Sequence, residues 1–104
     1  MKTQTSVANA LAALGHESRL GIFRLLVRAG EQGLSVGEIA QHLDIAASTL
    51  AHHLGTLVDA KLVIQERQGR QIVNRVNFTE MRQALAFLTD ECCVGVTLAQ
   101  EDAA

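Results

Sequence analysis

Val7, Leu11 and Leu14 recur at helical spacing, which predicts a first amphipathic helix over about residues 4–14, broken by Gly15. A second helix is predicted from Glu17 to Ala29, with Leu20, Phe23 and Val27 on its buried face, Arg19, Arg24 and Arg28 in water, and Gly30 and Gly33 closing it. Ser35-Val-Gly-Glu38 has the form of a capping box, in which a serine hydroxyl and a glutamate carboxylate satisfy opposite orphan amides at a helix start. That start predicts a short helix to about His42. After the turn Leu43-Asp-Ile-Ala46, a fourth helix is predicted from Ala47 to Asp59, with Leu50, Leu54, Leu57 and Val58 on one side. Leu62–Arg67 and Gln71–Asn77 then read as two strands around the turn Gln68-Gly69-Arg70. Finally Phe78, Met81, Leu85, Leu88 and Cys92 step by 3, 4, 3 and 4 residues, a two-sided packing seam on a last helix that Gly95 ends. On this reading Cys92 lies on the seam and Cys93 about a third of a turn off it.

The order of elements predicts a mainly α fold with one β-hairpin, a winged helix-turn-helix. The fourth helix is the candidate for lying in a major groove. Opposite its leucines it carries Ser48, His52, Gly55 and Thr56, with Thr49 beside them, all small or polar. Arg67 and Arg70 at the hairpin tip would be a solvated turn in another setting; after such a helix they are candidates for phosphate or minor-groove contacts. Of the histidines, His52 is expected to face DNA and His53 to pack half-buried, while His16 and His42 suit surface or capping roles.

Composition bounds this picture without changing it. With 104 residues, 48 % of them apolar and 19 % charged, the chain reads as one globular domain over residues 1–95 with an acidic tail over 96–104. It has no apolar run of about 18 residues and no apolar stretch behind a charged start, so neither a membrane span nor a signal peptide is expected, and the location expected is the cytoplasm. The net charge of -2 is unevenly spread: +2 over residues 1–34, zero over 35–79 and -4 over 80–104. Lys61, Arg67, Arg70 and Arg75 oppose only Glu66 on the hairpin, a local positive stripe that could meet phosphates. A domain this small buries little surface alone. Homodimerisation through the first and last helices is therefore expected, with Val7, Leu11, Leu14, Met81, Leu85 and Leu88 at the interface, an arrangement that suits a palindromic operator.

Cys92 and Cys93 are the only cysteines. In a reducing compartment they are plausible as ligands or redox sensors rather than as a structural disulfide, and a free cysteine also serves as a small buried hydrophobe. Asp90 and Glu91 beside the pair disfavour the thiolate on which oxidation sensing relies. Zinc, nickel or cobalt sensing would call for histidine donors on the last helix, and residues 78–95 contain none. No Gly-rich phosphate cradle, metal-plus-base motif or nucleophile–base pair is evident, so no enzymatic activity is expected.

Ala13-Leu-Gly-His-Glu-Ser-Arg-Leu20, Val36-Gly-Glu-Ile-Ala40, Ser48-Thr-Leu-Ala-His-His-Leu54 and Glu66-Arg-Gln-Gly-Arg-Gln-Ile72, in that order, resemble the ArsR/SmtB family of winged-helix repressors, and the likeness covers about residues 8–96. Phe78-Thr-Glu-Met81 through Phe87-Leu-Thr-Asp-Glu-Cys-Cys-Val-Gly95 is similar to the arsenic-responsive branch, whose cysteine pair closes the last helix. The resemblance implies a dimeric repressor of an arsenic-resistance operon, with no permanent cofactor, released from double-stranded DNA when trivalent arsenic or antimony binds Cys92 and Cys93. A redox- or persulfide-responsive repressor using the same thiols is the alternative, and a non-sensing interaction module the third reading. The chain departs from the branch in two respects. Residues 94–104 lack the third cysteine that members commonly add, and Ala46 and Ala47 stand where a polar cap is usual, forgoing about 1 kcal/mol.

Overall fold

Five α-helices and a three-stranded antiparallel sheet make up residues 2–98, the part of the chain that this computed structural model describes. The expected acidic tail lies outside the described residues from position 99 onward. Helix α1, Gln4–Leu14, opens on a capping box: the Thr3 hydroxyl accepts from the Ser6 amide at 3.0 Å while the Ser6 hydroxyl accepts from the Thr3 amide at 3.2 Å. Helix α2, Glu17–Ala29, has the expected bounds but not the expected face. Ile22, Phe23, Leu25 and Leu26 are buried, whereas Leu20 and Val27 are 43 % and 37 % exposed. The reason is steric and electrostatic. Arg24 lies beside Leu20 and Val27 on the helix surface, so burying that stripe would carry a guanidinium into the core, whereas the guanidinium on the Ile22–Leu26 stripe, that of Arg19, sits in the first turn and meets a carbonyl at the end of α1. Arg19, expected in water, is half-buried; its Nε donates to the Ala13 carbonyl at 2.7 Å and closes the end of α1.

A single turn of 3-10 helix, Gly30–Gln32, leads to Gly33 at φ +67°, a conformation other residues rarely adopt. A Cβ there would also sit 2.3 Å from the Asn74 carbonyl oxygen, so the chain can cross the sheet at this point only as glycine. Beyond it lies strand β1, Leu34–Ser35, too short to be marked by any local pattern in the sequence. Helix α3, Val36–Leu43, starts on the expected capping box, with Glu38 N to Ser35 Oγ at 3.1 Å and Ser35 N to Glu38 Oε1 at 2.8 Å. Hydrogen bonding from the Ser35 amide, and then from its side chain, holds the Glu38 carboxyl below its ordinary pKa. Asp44, in the left-handed region, ends α3 and starts the turn into α4, Ala47–Asp59.

Strands β2, Val63–Gln68, and β3, Gln71–Val76, form the hairpin, and β1 pairs with β3 on its other side, giving the order β1-β3-β2. Fully buried Asn74 ties all three together. Its Nδ2 donates to the Leu34 carbonyl at 3.3 Å, and its Oδ1 accepts from Gln65 Nε2 at 2.8 Å. Ile22 and Leu26 from α2, Ile39 from α3, Leu50, Leu54 and Leu57 from α4, and Leu62, Val63 and Val76 from the hairpin share one core. The helix-turn-helix and the wing are thus parts of one packed unit.

Helix α5 runs from Phe78 to Thr89, capped by the Asn77 side chain, and the Lys2–Glu80 ion pair fastens it to the start of the chain. It ends short of its expected limit at Gly95. Asp90 is extended, Glu91 and Cys93 take positive φ, and Cys92 and Cys93 lie in a turn beyond the helix. The 3-4 stepping therefore does not reach Cys92. Thr89 and Asp90 are mediocre helix formers, the carboxylates of Asp90 and Glu91 oppose the helix dipole at this end, and the exposed segment has no packing that would override them.

Candidate nucleic-acid interface and thiol pair

Helix α4 turns Leu50, His53, Leu54 and Leu57 into the core, which fixes what faces outward. Ser48, Thr49 and His52 are exposed, as expected, with Gly55 between turns so that nothing bulky blocks an approaching surface. Thr56 departs from the expected set. It is half-buried, its hydroxyl donates to the His52 carbonyl at 3.3 Å, and it lines a cleft with Asn9, Ala12, Ala13, Arg19 and Asp59. Position 56 lies about 80° around the helix from position 48, enough to carry it from the outward face to the flank against α1. Ala46 caps α4 without a side-chain hydrogen bond, so the first-turn amides stay open to solvent or to an anion.

The wing adds a second charged element beside this helix. Gly69, at φ +65°, makes the two-residue turn between the paired Gln68 and Gln71, and Arg70 follows it. Arg67 and Arg70 are exposed and form no ion pair among the described residues. Arg75 is different: its Nε donates to Glu66 Oε1 at 2.6 Å across the hairpin, so the stripe seen in the sequence reduces to Lys61, Arg67 and Arg70. Arg70 also lines a groove with Ser35, Val36 and Gly37 at the start of α3. Those α3 positions were missed as candidate contacts, because their approach to the wing depends on β1 pairing with β3.

Behind α4 lies a histidine cluster. His16 caps α2, its Nδ1 accepting from the Ser18 amide at 3.2 Å, and its ring centroid is 5.0 Å from that of His53. The His52 ring is 5.8 Å from His53 on the other side. His53 is buried and its Nδ1 has no hydrogen-bond partner. Burial, then the positive character of His16, Arg19 and His52, pushes its pKa below the ordinary imidazole value. The unfolded chain therefore binds this proton more tightly than the folded one. Stability is full above about pH 6.5 and declines as the pH falls through that value. Thermal melts between about pH 7.5 and about pH 5.5 should show Tm falling with pH, and His53→Leu should flatten that fall. An equal slope in both proteins would show that another group carries it.

Cys92 and Cys93 are both exposed, with sulfur atoms 2.7 Å apart, and the Cys92 amide donates to the Thr89 carbonyl at 3.0 Å. Hydrogen bonding to the Cys93 thiol, and then burial, pushes the Cys92 thiol above its ordinary pKa. Among the described residues no group of three His, Cys, Asp or Glu side chains is arranged to hold a metal ion. The positions expected at a dimer interface fall into two sets. Val7 is buried within the chain's own fold, and Leu14 and Met81 are half-buried against the core. Leu11, Leu85 and Leu88 are exposed, the last two at 56 % and 53 %. Ala84, buried on α5, had no distinguishing signal in the sequence.

A family model described as a helix-turn-helix domain matches residues 14–66. The biofilm growth-associated repressor of Agrobacterium fabrum is 40 % identical over 75 residues, which take in 72 % of this chain and 62 % of that protein. A putative arsenical resistance operon repressor, ArsR, of Halobacterium salinarum is 40 % identical over 60 residues, 58 % of this chain and 46 % of the other. The chain thus spans less than two thirds of the length of either relative. The solved structure of the transcriptional repressor BigR from Xylella fastidiosa superposes with a TM-score of 0.65 at 33 % identity, covering 88 % of this chain and 90 % of that one. No helix among the described residues is long and apolar enough to cross a membrane.

Proposed function

Because the chain belongs to the ArsR/SmtB family of winged-helix transcriptional repressors, we propose that it controls an arsenic-resistance operon from the cytoplasm, holding a palindromic operator as a homodimer until trivalent arsenic or antimony binds Cys92 and Cys93. The observation that carries the sensing part is the pair itself: two sulfur atoms side by side, open to solvent, just past the helix that bears exposed Leu85 and Leu88. Soft sulfur donors select thiophilic ions. A ligand there adjoins the helix expected to join two protomers, so it can alter the angle between their reading helices. That difference in fit to the operator is what a coupling free energy between two sites requires. The relative whose name mentions arsenical resistance supports the same reading.

The test is titration of a protein–operator complex with arsenite, antimonite, zinc, cadmium and a persulfide donor. Arsenite and antimonite are expected to release DNA. Release by the persulfide donor alone would establish the alternative sensor. For the DNA face, Arg70→Ala should weaken binding to specific and random duplexes alike and lower the salt dependence by roughly one phosphate contact. Ser48→Ala and His52→Ala should instead lower the ratio of specific to non-specific affinity, by roughly 1–3 kcal/mol if a base contact is lost. An unchanged ratio in both would remove α4 from base reading.

A further inference from the structure

We infer that the cleft between α1, the start of α2 and the end of α4 is a binding site for a small zwitterionic amino acid, distinct from the thiol pair. The cleft measures about 360 Å³ and is bordered by two opposite charges. Arg19 stands in the first turn of α2 and Asp59 ends α4, yet neither forms an ion pair, with the other or elsewhere, among the described residues. Arg19 is held in place: its Nε donates to the Ala13 carbonyl at 2.7 Å, which leaves the N–H groups of its terminal nitrogens to a ligand. A guanidinium fixed in this way presents a planar fork matched to a carboxylate.

The α4 wall supplies acceptors. Thr56 and Asp59 are three residues apart on that helix and so share a face. The Thr56 hydroxyl gives its proton to the His52 carbonyl at 3.3 Å, so toward the cleft its oxygen can only accept. A carboxylate beside an accepting hydroxyl suits an ammonium group. Between the charged ends the walls are Ala12, Ala13 and Ala60, whose single-carbon side chains leave space for a short aliphatic segment. A simple anion satisfies Arg19 alone and a simple cation Asp59 alone; a molecule carrying a carboxylate and an ammonium a few bonds apart satisfies both. The expected dimer leaves this cleft open, because Leu11 lies about 160° around α1 from Asn9 and Ala13, which line it. A ligand seated there touches α1, α2 and the end of α4 together.

The full-length, reduced protein should be isotopically labelled and its amide chemical shifts followed during titration with glycine, β-alanine and γ-aminobutyrate, with acetate and ethylammonium as single-charge controls. At least one amino acid is expected to saturate below about 50 mM, with its largest shifts at Asn9, Arg19, Thr56 and Ala60, and to bind about tenfold or more tightly than either control. Asp59→Asn, an exposed and isosteric change, should weaken that binding by about tenfold or more with the rest of the spectrum unchanged. The double variant Cys92→Ser, Cys93→Ser should bind as the parent does, since neither cysteine lines the cleft. Acetate or ethylammonium binding as tightly as the best amino acid, an Asp59→Asn protein of parental affinity, shifts centred away from the cleft, or no saturable shift with any amino acid would each overturn the assignment.

Discussion

Cys92→Ser and Cys93→Ser should each leave operator affinity within about twofold of the parent while raising the arsenite concentration needed for release by about tenfold or more; the double variant should not respond at all. The pair lies outside α4 and the wing, beyond the last residue of α5, so neither serine touches a group that faces DNA. Both thiols are exposed, and an exposed Cys→Ser change typically alters stability by no more than about 0.5 kcal/mol. Release, by contrast, depends on the difference in arsenic affinity between the DNA-bound and free forms. Removing one of two sulfur donors takes away the chelate that supplies this difference. Fluorescence anisotropy of a labelled operator, titrated first with protein and then with arsenite, reads both quantities on one sample. If the double variant still lets go of DNA at the parental arsenite concentration, the pair is not the sensor.

How far the sequence revealed these elements depends on how local their determinants are. The bounds of α2 and α4 and the Ser35–Glu38 box were legible because glycines, caps and leucine spacing act within one or two turns. The buried face of α2 was not, because it carries apolar residues at both Leu20–Val27 and Ile22–Leu26. Each stripe also carries an arginine, Arg24 on the first and Arg19 on the second, and the carbonyl that receives Arg19 belongs to α1, which no pattern within α2 reveals. Strand β1 is two residues long and pairs with Asn74 and Val73, far along the chain, so no local pattern announces it. The Glu66–Arg75 pair was recoverable in principle. In the hairpin register Ile64 faces Arg75, which puts Glu66 diagonally across on the same face, and that pairing neutralises one of the four cations counted on the wing. The end of α5 was overextended because a 3-4 repeat in sequence says nothing about whether a partner surface exists to hold the last turn. On α4, Ser48, Thr49 and His52 are exposed as their opposition to the leucines predicts, while Thr56 sits at the margin between the outward face and the flank against α1.

Leu85→Glu should convert the protein to a folded monomer and reduce operator affinity by about a hundredfold or more. Leu85 is 56 % exposed within the protomer, and Leu88 on the same helix and Leu11 on α1 are exposed apolar side chains as well. A carboxylate there costs the protomer little. Burying it unpaired between two copies costs several kcal/mol, against the roughly 1.5–3 kcal/mol gained by burying each leucine. The loss passes to DNA because a dimer engages the second half-site as an intramolecular event, at an effective concentration far above that of free protein. Sedimentation velocity at about micromolar concentration, far-UV circular dichroism and anisotropy on the same preparations separate these effects. The circular dichroism should be unchanged, since Phe78, Met81 and Ala84, which seat α5 on the core, are untouched. A parent protein that sediments as a well-folded monomer, or a Leu85→Glu protein that still dimerises, would remove this face from the assembly. Either result would also leave the thiol pair without the subunit contact through which its ligand is proposed to act.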